Sequence, residues 1–199
     1  VAPSRGLGDV YKRQDLDASE IEVRLGATWV DTEYITQFMG ETFHTPGYYL
    51  GSKIDVRYAA VNGQWNITGK NMDNRGNALV QSTYGTQRAN AYRLLEDALN
   101  LRDTKIYDII EDADGEHRVL NKKETMLAQQ KQEMIKEAFK EWIFRDIDRR
   151  EALCKKYNEL FNSSRPREYD GSHIQFTGMT PEITLMPHQK NAVAHILYC

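Results

Sequence analysis

From about Lys122 to Phe161 the chain carries apolar residues at helical spacing: Met126, Met134, Ile135, Phe139, Trp142, Ile143, Ile147, Cys154, Tyr157, Leu160 and Phe161. One helix of that length would reach roughly 60 Å at 1.5 Å per residue. That exceeds the width of a small domain, so the helix must bend or pack part of its length on something else. Asn121 with Glu124 resembles a capping box at its start, an asparagine standing where a hydroxyl residue is usual. Asn162-Ser-Ser-Arg-Pro166 ends it.

The 199 residues leave room for one domain or two small ones. With 40% hydrophobic and 28% charged residues the balance is that of an ordinary globular chain. A net charge of -3 exerts no global pull on nucleic acid, so any such surface must be local. No apolar run approaches the ~20 residues that span a bilayer, and no signal peptide is visible. Cys154 and Cys199 cannot support a disulfide framework, which leads us to expect a reducing, cytoplasmic setting. Two cysteines and five scattered histidines give no zinc spacing. Val1 to about Gln14 has no hydrophobic period and reads as a non-native, adapter-derived peptide. We expect the abrupt end at Cys199 to be the other edge of the same truncated reading.

Asp17-Ala-Ser-Glu-Ile21 suggests a helical turn, and Ile21-Glu-Val-Arg-Leu25 alternates like a short strand. Asp31 is placed to cap a helix whose apolar face is Tyr34, Ile35, Phe38, Met39 and Phe43, stopped at Pro46-Gly47. Ile54–Tyr58 and Gln64–Thr68 alternate around Asn62-Gly63, a strong hairpin signal. Thr86 would cap a helix with the stripe Ala89, Tyr92, Leu95 and Leu99, ending near Asn100. Ile106–Ile110 and Glu116–Leu120 flank Asp112-Ala-Asp-Gly115 as a second hairpin. Ile174-Gln-Phe176 is a candidate short strand.

Phosphate-loop, helicase metal, methyltransferase base-gripping and nucleophile-elbow motifs are all missing. The long helix and the segment after it carry cations, including Arg165 and Arg167, interleaved with acids. The plainer reading is a solvated face with pairs four residues apart. The functional one is a phosphate-contacting ridge centred on Arg149, Arg150, Lys155 and Lys156. Thr86 and Arg88, beside Tyr84, could likewise hold a phosphate at a helix start, or simply cap it. Trp29 and Trp65 read as core residues rather than stacking platforms.

The last stretch begins Leu185-Met-Pro-His-Gln-Lys and continues with Ala192, Val193, Ile196 and Leu197 at helical spacing. Pro187 suits a first helical turn. The Gln189 side chain offers a donor and an acceptor together, matching the edge of adenine. This pattern resembles the glutamine motif that opens the first motor domain of superfamily-two helicases, including the Swi/Snf-like translocases. Further stretches carry a wider resemblance: Leu25-Gly-Ala-Thr-Trp29, Trp65-Asn-Ile-Thr-Gly-Lys70, Tyr84–Tyr92, Leu99-Asn-Leu-Arg-Asp103 and Lys136-Glu-Ala-Phe-Lys-Glu-Trp142. From about Asp15 onward the chain is similar to a segment of large bacterial, phage and mobile-element proteins. These join an adenine-N6 DNA methyltransferase to a Swi/Snf-like helicase.

That resemblance implies a bridge between methyltransferase and motor, with ATP and Mg bound only by the full-length parent and neither by this fragment. Gln189, with Pro187 and His188, would lie near the adenine. The expected architecture is α+β. Residues 15–120 would form a connector domain with two β-hairpins, 121–162 a long helical arm, and 163–199 the truncated entrance to a helicase motor. The expected partners are DNA and the missing parts of the same polypeptide, with no membrane. The alternative is a protein–protein interaction module that packs through its long helix without touching DNA.

Overall fold

The computed structural model describes residues 14–71, 76–112, 115–162, 169–176, 180 and 184–198. The adapter-like stretch apart from Gln14, residues 113–114, Arg165, Arg167 and Cys199 lie outside them. The chain divides into two compact units: Leu16–Glu159, and a second made of Val1–Asp15 with Leu160–Cys199.

The larger unit mixes helices with two separate antiparallel hairpins, the α+β class that the alternating and helical periods imply. Helix α1 (Thr32–Thr42) precedes a hairpin of β1 (Asp55–Ala59) and β2 (Gln64–Thr68). A π-helical turn at Leu79–Thr83 leads to α2 (Ala91–Leu99), and β3 (Tyr107–Asp112) and β4 (Gly115–Leu120) form the second hairpin. Helices α3 (Lys122–Ile143) and α4 (Ile147–Phe161) come next, and α5 (Pro187–Tyr198) belongs to the smaller unit.

The core is aromatic at its centre. Phe38 of α1 meets Phe43, Phe139 and Trp142 edge-on, with ring centroids 5.3, 5.3 and 5.4 Å away. Such pairs add about 0.5–1.5 kcal/mol each beyond the area they bury. Around them α1 buries Ile35 and Met39, α2 buries Tyr92, Leu94, Leu95 and Leu99, and β1–β2 buries Val56, Trp65 and Ile67. The Tyr92 hydroxyl is hydrogen-bonded to Thr45 at 2.7 Å.

The long helical run is two helices, because the chain breaks between Ile143 and Ile147. Asp146 accepts from the Arg149 backbone N–H at 2.9 Å and so caps α4. The break resets the helical phase. Ile147, Leu160 and Phe161 are exposed, while Leu153, which the expected stripe omitted, is buried. On α3 the buried face is Thr125, Ala128, Gln132, Ile135, Phe139, Trp142 and Ile143, and Met126 and Met134 point to solvent.

The polar members of that face are used. Gln132 Nε2 donates to Arg102 O at 2.7 Å and its Oε1 accepts from Thr104 N. Thr125 Oγ1 accepts from Ile106 N at 3.0 Å. These side chains replace the strand that residues 102–106 do not have. The same device holds the start of the unit: Asn158 Oδ1 accepts from Leu16 N and its Nδ2 donates to Leu16 O, at 2.8 and 2.9 Å. Ile21, Val23 and Leu25 are buried alternately, yet the segment pairs with no strand among the described residues. Its period of two reflects packing on the core rather than a ladder.

Several caps differ from the sequence reading. Asp31 makes no capping bond, because both its carboxylate oxygens accept from Lys156 Nζ at 2.8 Å. Helix α2 starts later than Thr86 suggests and is capped by Asn90, which accepts from Arg93 N. At α3 Asn121 accepts from Glu124 N, but its own N–H donates to Ile106 O, so only half of the capping box forms. Helix α2 ends in a paired closure, Leu101 N to Ala98 O and Arg102 N to Asp97 O. That motif places the residue just past the C-cap in the left-handed region, normally a glycine, and here it is Leu101 at φ 54°.

In the smaller unit Asn162 Nδ2 donates to Gln14 O at 2.9 Å. Gly171 lies against the α5 backbone at Lys190, where a Cβ would collide, and its N–H donates to Asn191 Oδ1 at 2.9 Å. Residues 174–176 form no strand. Of the expected α5 stripe, Ile196 and Leu197 are exposed, and Ala194 is the buried position.

Leu101 is 81% exposed and therefore contributes little packing to offset its backbone strain. Leu101→Gly should stabilise the protein by about 1 kcal/mol, the left-handed cost of a non-glycine residue less glycine's extra chain entropy. A rise in the urea midpoint without a change in slope is the expected readout.

Candidate functional site

The cations expected to touch DNA do not share one face. Arg149 is 7% exposed. Its Nε and Nη2 donate to Ile143 O and Trp142 O at 3.0 and 2.9 Å, closing the carbonyl end of α3. The guanidinium lies over the Trp142 ring at 3.6 Å, and its Nη1 is 3.7 Å from Glu41 Oε1. Glu41 also accepts from the Trp142 indole N–H at 2.6 Å. Lys156 is held by Asp31. Lys155 is exposed and Arg150 is half-buried. Five residues apart, these two project roughly 140° from each other around α4, at about 100° per residue.

The Thr86–Arg88 pair is likewise drawn into the fold. Thr86 is buried, and its hydroxyl accepts from Ala89 N at 3.0 Å. Arg88 donates to Asp108 Oδ1 at 2.7 Å and to Tyr107 O at 2.8 Å. Asp108 also accepts from Asn121 Nδ2 at 2.8 Å. The bonds from Arg88 first, then Asn121, hold this carboxyl below the ordinary carboxylate range. Arg88, Asp108 and Asn121 thus tie the base of the β3–β4 hairpin to the body.

Gln189, Pro187 and His188 are exposed at the start of α5. Gln189 Oε1 accepts from Met186 N at 2.9 Å, the reciprocal half of a capping box. The acceptor half of the amide is therefore already in use on the helix's own first turn. Among the described residues no group of three or more His, Cys, Asp or Glu could hold a metal ion. No helix among them is long and apolar enough to cross a membrane.

The surface that stands out is one that motif reading did not single out. In the β3–β4 hairpin Ile109 is 67% exposed, and Tyr107, Ile110, Val119 and Leu120 are exposed as well. The register sets Tyr107, Ile109 and Leu120 on one face with Arg118, Glu111 and Glu116, and Ile110 and Val119 on the other. A two-stranded hairpin is marginal by itself and normally buries one face. This one displays apolar side chains on both. The signal was present as two alternating segments, but alternation cannot tell a covered face from a bare one. Elsewhere a cavity of ≈ 340 Å³ lies between the Glu22–Leu25 segment and α3. Its charges are balanced, Arg24 pairing with Glu22 and Lys136 with Glu133, so it selects no ligand sign.

The family model described as Domain of unknown function (DUF8437) matches residues 24–163. No curated protein and no solved structure matches the chain.

The two neighbouring arginines should behave oppositely. Arg149→Ala should destabilise the larger unit by about 2–3 kcal/mol, since it removes charge-assisted bonds to α3 carbonyls. Arg150→Ala should fall within about 0.5 kcal/mol of the parent. Urea unfolding of both variants checks this.

Proposed function

We propose that this chain, which belongs to the family described as Domain of unknown function (DUF8437), is a non-catalytic connector working by protein–protein contact. In this reading it couples the parts of a larger ATP-dependent DNA helicase or translocase fused to an adenine-N6 DNA methyltransferase. The observation that carries the contact role is the β3–β4 hairpin, braced at its base by Arg88, Asp108 and Asn121 and bare on both faces. The engagement of Arg149, Lys156, Thr86 and Arg88 within the fold favours contact with protein over a DNA-positioning ridge. The assignment to a helicase–methyltransferase parent is supported by the linear resemblance of the sequence stretches.

ATP and Mg belong to that parent. The sequence of this chain supplies an adenine-facing candidate in Gln189 and no phosphate-cradling loop, so its residues do not by themselves fit a nucleotide. DNA positioning is the second reading, favoured by exposed Lys155 with half-buried Arg150.

Two measurements separate these readings. In a polypeptide that carries the methyltransferase and motor, Ile109→Asp should uncouple methyl transfer from ATP hydrolysis while each activity persists. Unchanged coupling would count against the connector. For the 199-residue chain, duplex affinity should stay in the weak non-specific range of about 10⁻⁴–10⁻⁶ M at physiological salt. Tighter, salt-steep binding lost on Arg150→Ala with Lys155→Ala would favour the DNA reading.

A further inference from the structure

We propose that the outer edge of β4 is where two copies of this chain meet, strand against antiparallel strand, about a twofold axis. This deepens, and rests on, the reading of the hairpin as a contact surface.

The strand edges are covered to different degrees. The outer side of β2 is covered by α2. Ile67 N donates to Glu96 Oε2 at 2.7 Å, Trp65 N donates to Asn100 Oδ1 at 2.9 Å, and Trp65 O accepts from Asn100 Nδ2 at 2.9 Å. On the outer side of β3 Arg88 covers Tyr107 O, while the outward backbone groups of Ile109 and Glu111 bond to nothing else among the described residues, so it is charge that singles out β4. The bond from Asn121 N to Ile106 O continues the β3–β4 register and fixes which pairs face inward. Alternation makes Asp108↔Val119 and Ile110↔His117 the hydrogen-bonded pairs, so the backbone groups of Glu116 and Arg118 point outward from β4. Those groups bond to nothing else among the described residues. An uncovered row of this kind is a template for another strand.

Charge identifies the occupant. Glu111 and Glu116 stand directly opposite each other on one face, a like-charge pair that weakens the hairpin. Arg118 is two residues from Glu116 on that same face, over the Tyr107 ring at 5.2 Å. A second β4 placed antiparallel across a twofold axis, with His117 at its centre, sets Glu116 opposite Arg118 of the other copy, twice. In that register the outward backbone groups of Glu116 and Arg118 also become hydrogen-bonded partners. Each intruding arginine neutralises the Glu111–Glu116 pair. Shifting the register by two residues would instead set Arg118 against Arg118. The strand is therefore complementary to itself in one register, and the contact is isologous. The sheet becomes four strands, in the order β3, β4, β4, β3.

Sedimentation equilibrium on the 199-residue chain tests this. The parent should show a reversible monomer–dimer equilibrium weakened by salt. Glu116→Arg or Arg118→Glu alone should raise the dissociation constant by about tenfold or more, because two cross-strand pairs become repulsive. The two substitutions together should restore pairing, which also shows that the exposed positions tolerate change. With Cys154→Ser and Cys199→Ser as background, oxidation should cross-link His117→Cys between copies but not Arg118→Cys, because only 117 faces itself. A chain monomeric at every accessible concentration, single reversals without effect, or cross-linking at 118 in place of 117 would each overturn the inference. If the chain is monomeric while Ile109→Asp still uncouples the larger polypeptide, the contact-surface reading survives and the self-pairing falls.

Discussion

One buried guanidinium decides the shape of the larger unit. Arg149 closes the end of α3 through the carbonyls of Trp142 and Ile143, stacks on the Trp142 ring and faces Glu41 of α1. Without that closure the C-terminal carbonyls of α3 would need water or a continued helix. With it, a run that could have been a rod of roughly 60 Å folds into two helices. The same contacts bring Trp142 against Phe38, so the break in the helix and the aromatic centre of the core are one arrangement.

A second constraint is the lack of a large sheet. A unit of two short hairpins leaves many backbone groups without a ladder, and buried ones must be satisfied. This fold answers with side chains. Asn158 brackets Leu16, Gln132 and Thr125 hold residues 102–106, and Glu96 with Asn100 covers the edge of β2. Several of these polar residues lie on helix faces that also carry the apolar stripe. They look like errors in an amphipathic pattern until the strap they hold is seen. The second hairpin is braced at its base by Arg88, Asp108 and Asn121.

The candidate sites were legible to different degrees. The hairpin was visible as paired alternation around Asp112–Gly115, because side-chain period and turn chemistry are local. Its exposure was not, since that depends on what the rest of the chain covers. The ridge of Arg149, Arg150, Lys155 and Lys156 was drawn from sequence proximity, but helical phase and the break at Asp146 send these side chains in different directions. Arg149 could have been suspected from the Asp146–Arg149 spacing, which is that of an N-cap and its third residue. Gln189 was correctly placed in a first turn, and its bond to Met186 N is the capping function that any such glutamine can perform.

The sequence by itself determined the class of elements and most of their buried faces: Ile35, Phe38 and Met39 on α1, Ala89, Tyr92, Leu95 and Leu99 around α2, and the alternation of both hairpins. These arise from periods of 3.6 and 2, which short-range geometry imposes on any chain. Only the tertiary structure decided where the long helix breaks, which cations turn inward, and which strand edge is covered. The break rests on short-range contacts that the apolar stripe masks, while the inward cations and the covered edge depend on partners distant in sequence, such as Glu41 for Arg149, Asp31 for Lys156, or Asn100 for Trp65. No local pattern records which distant partner will arrive.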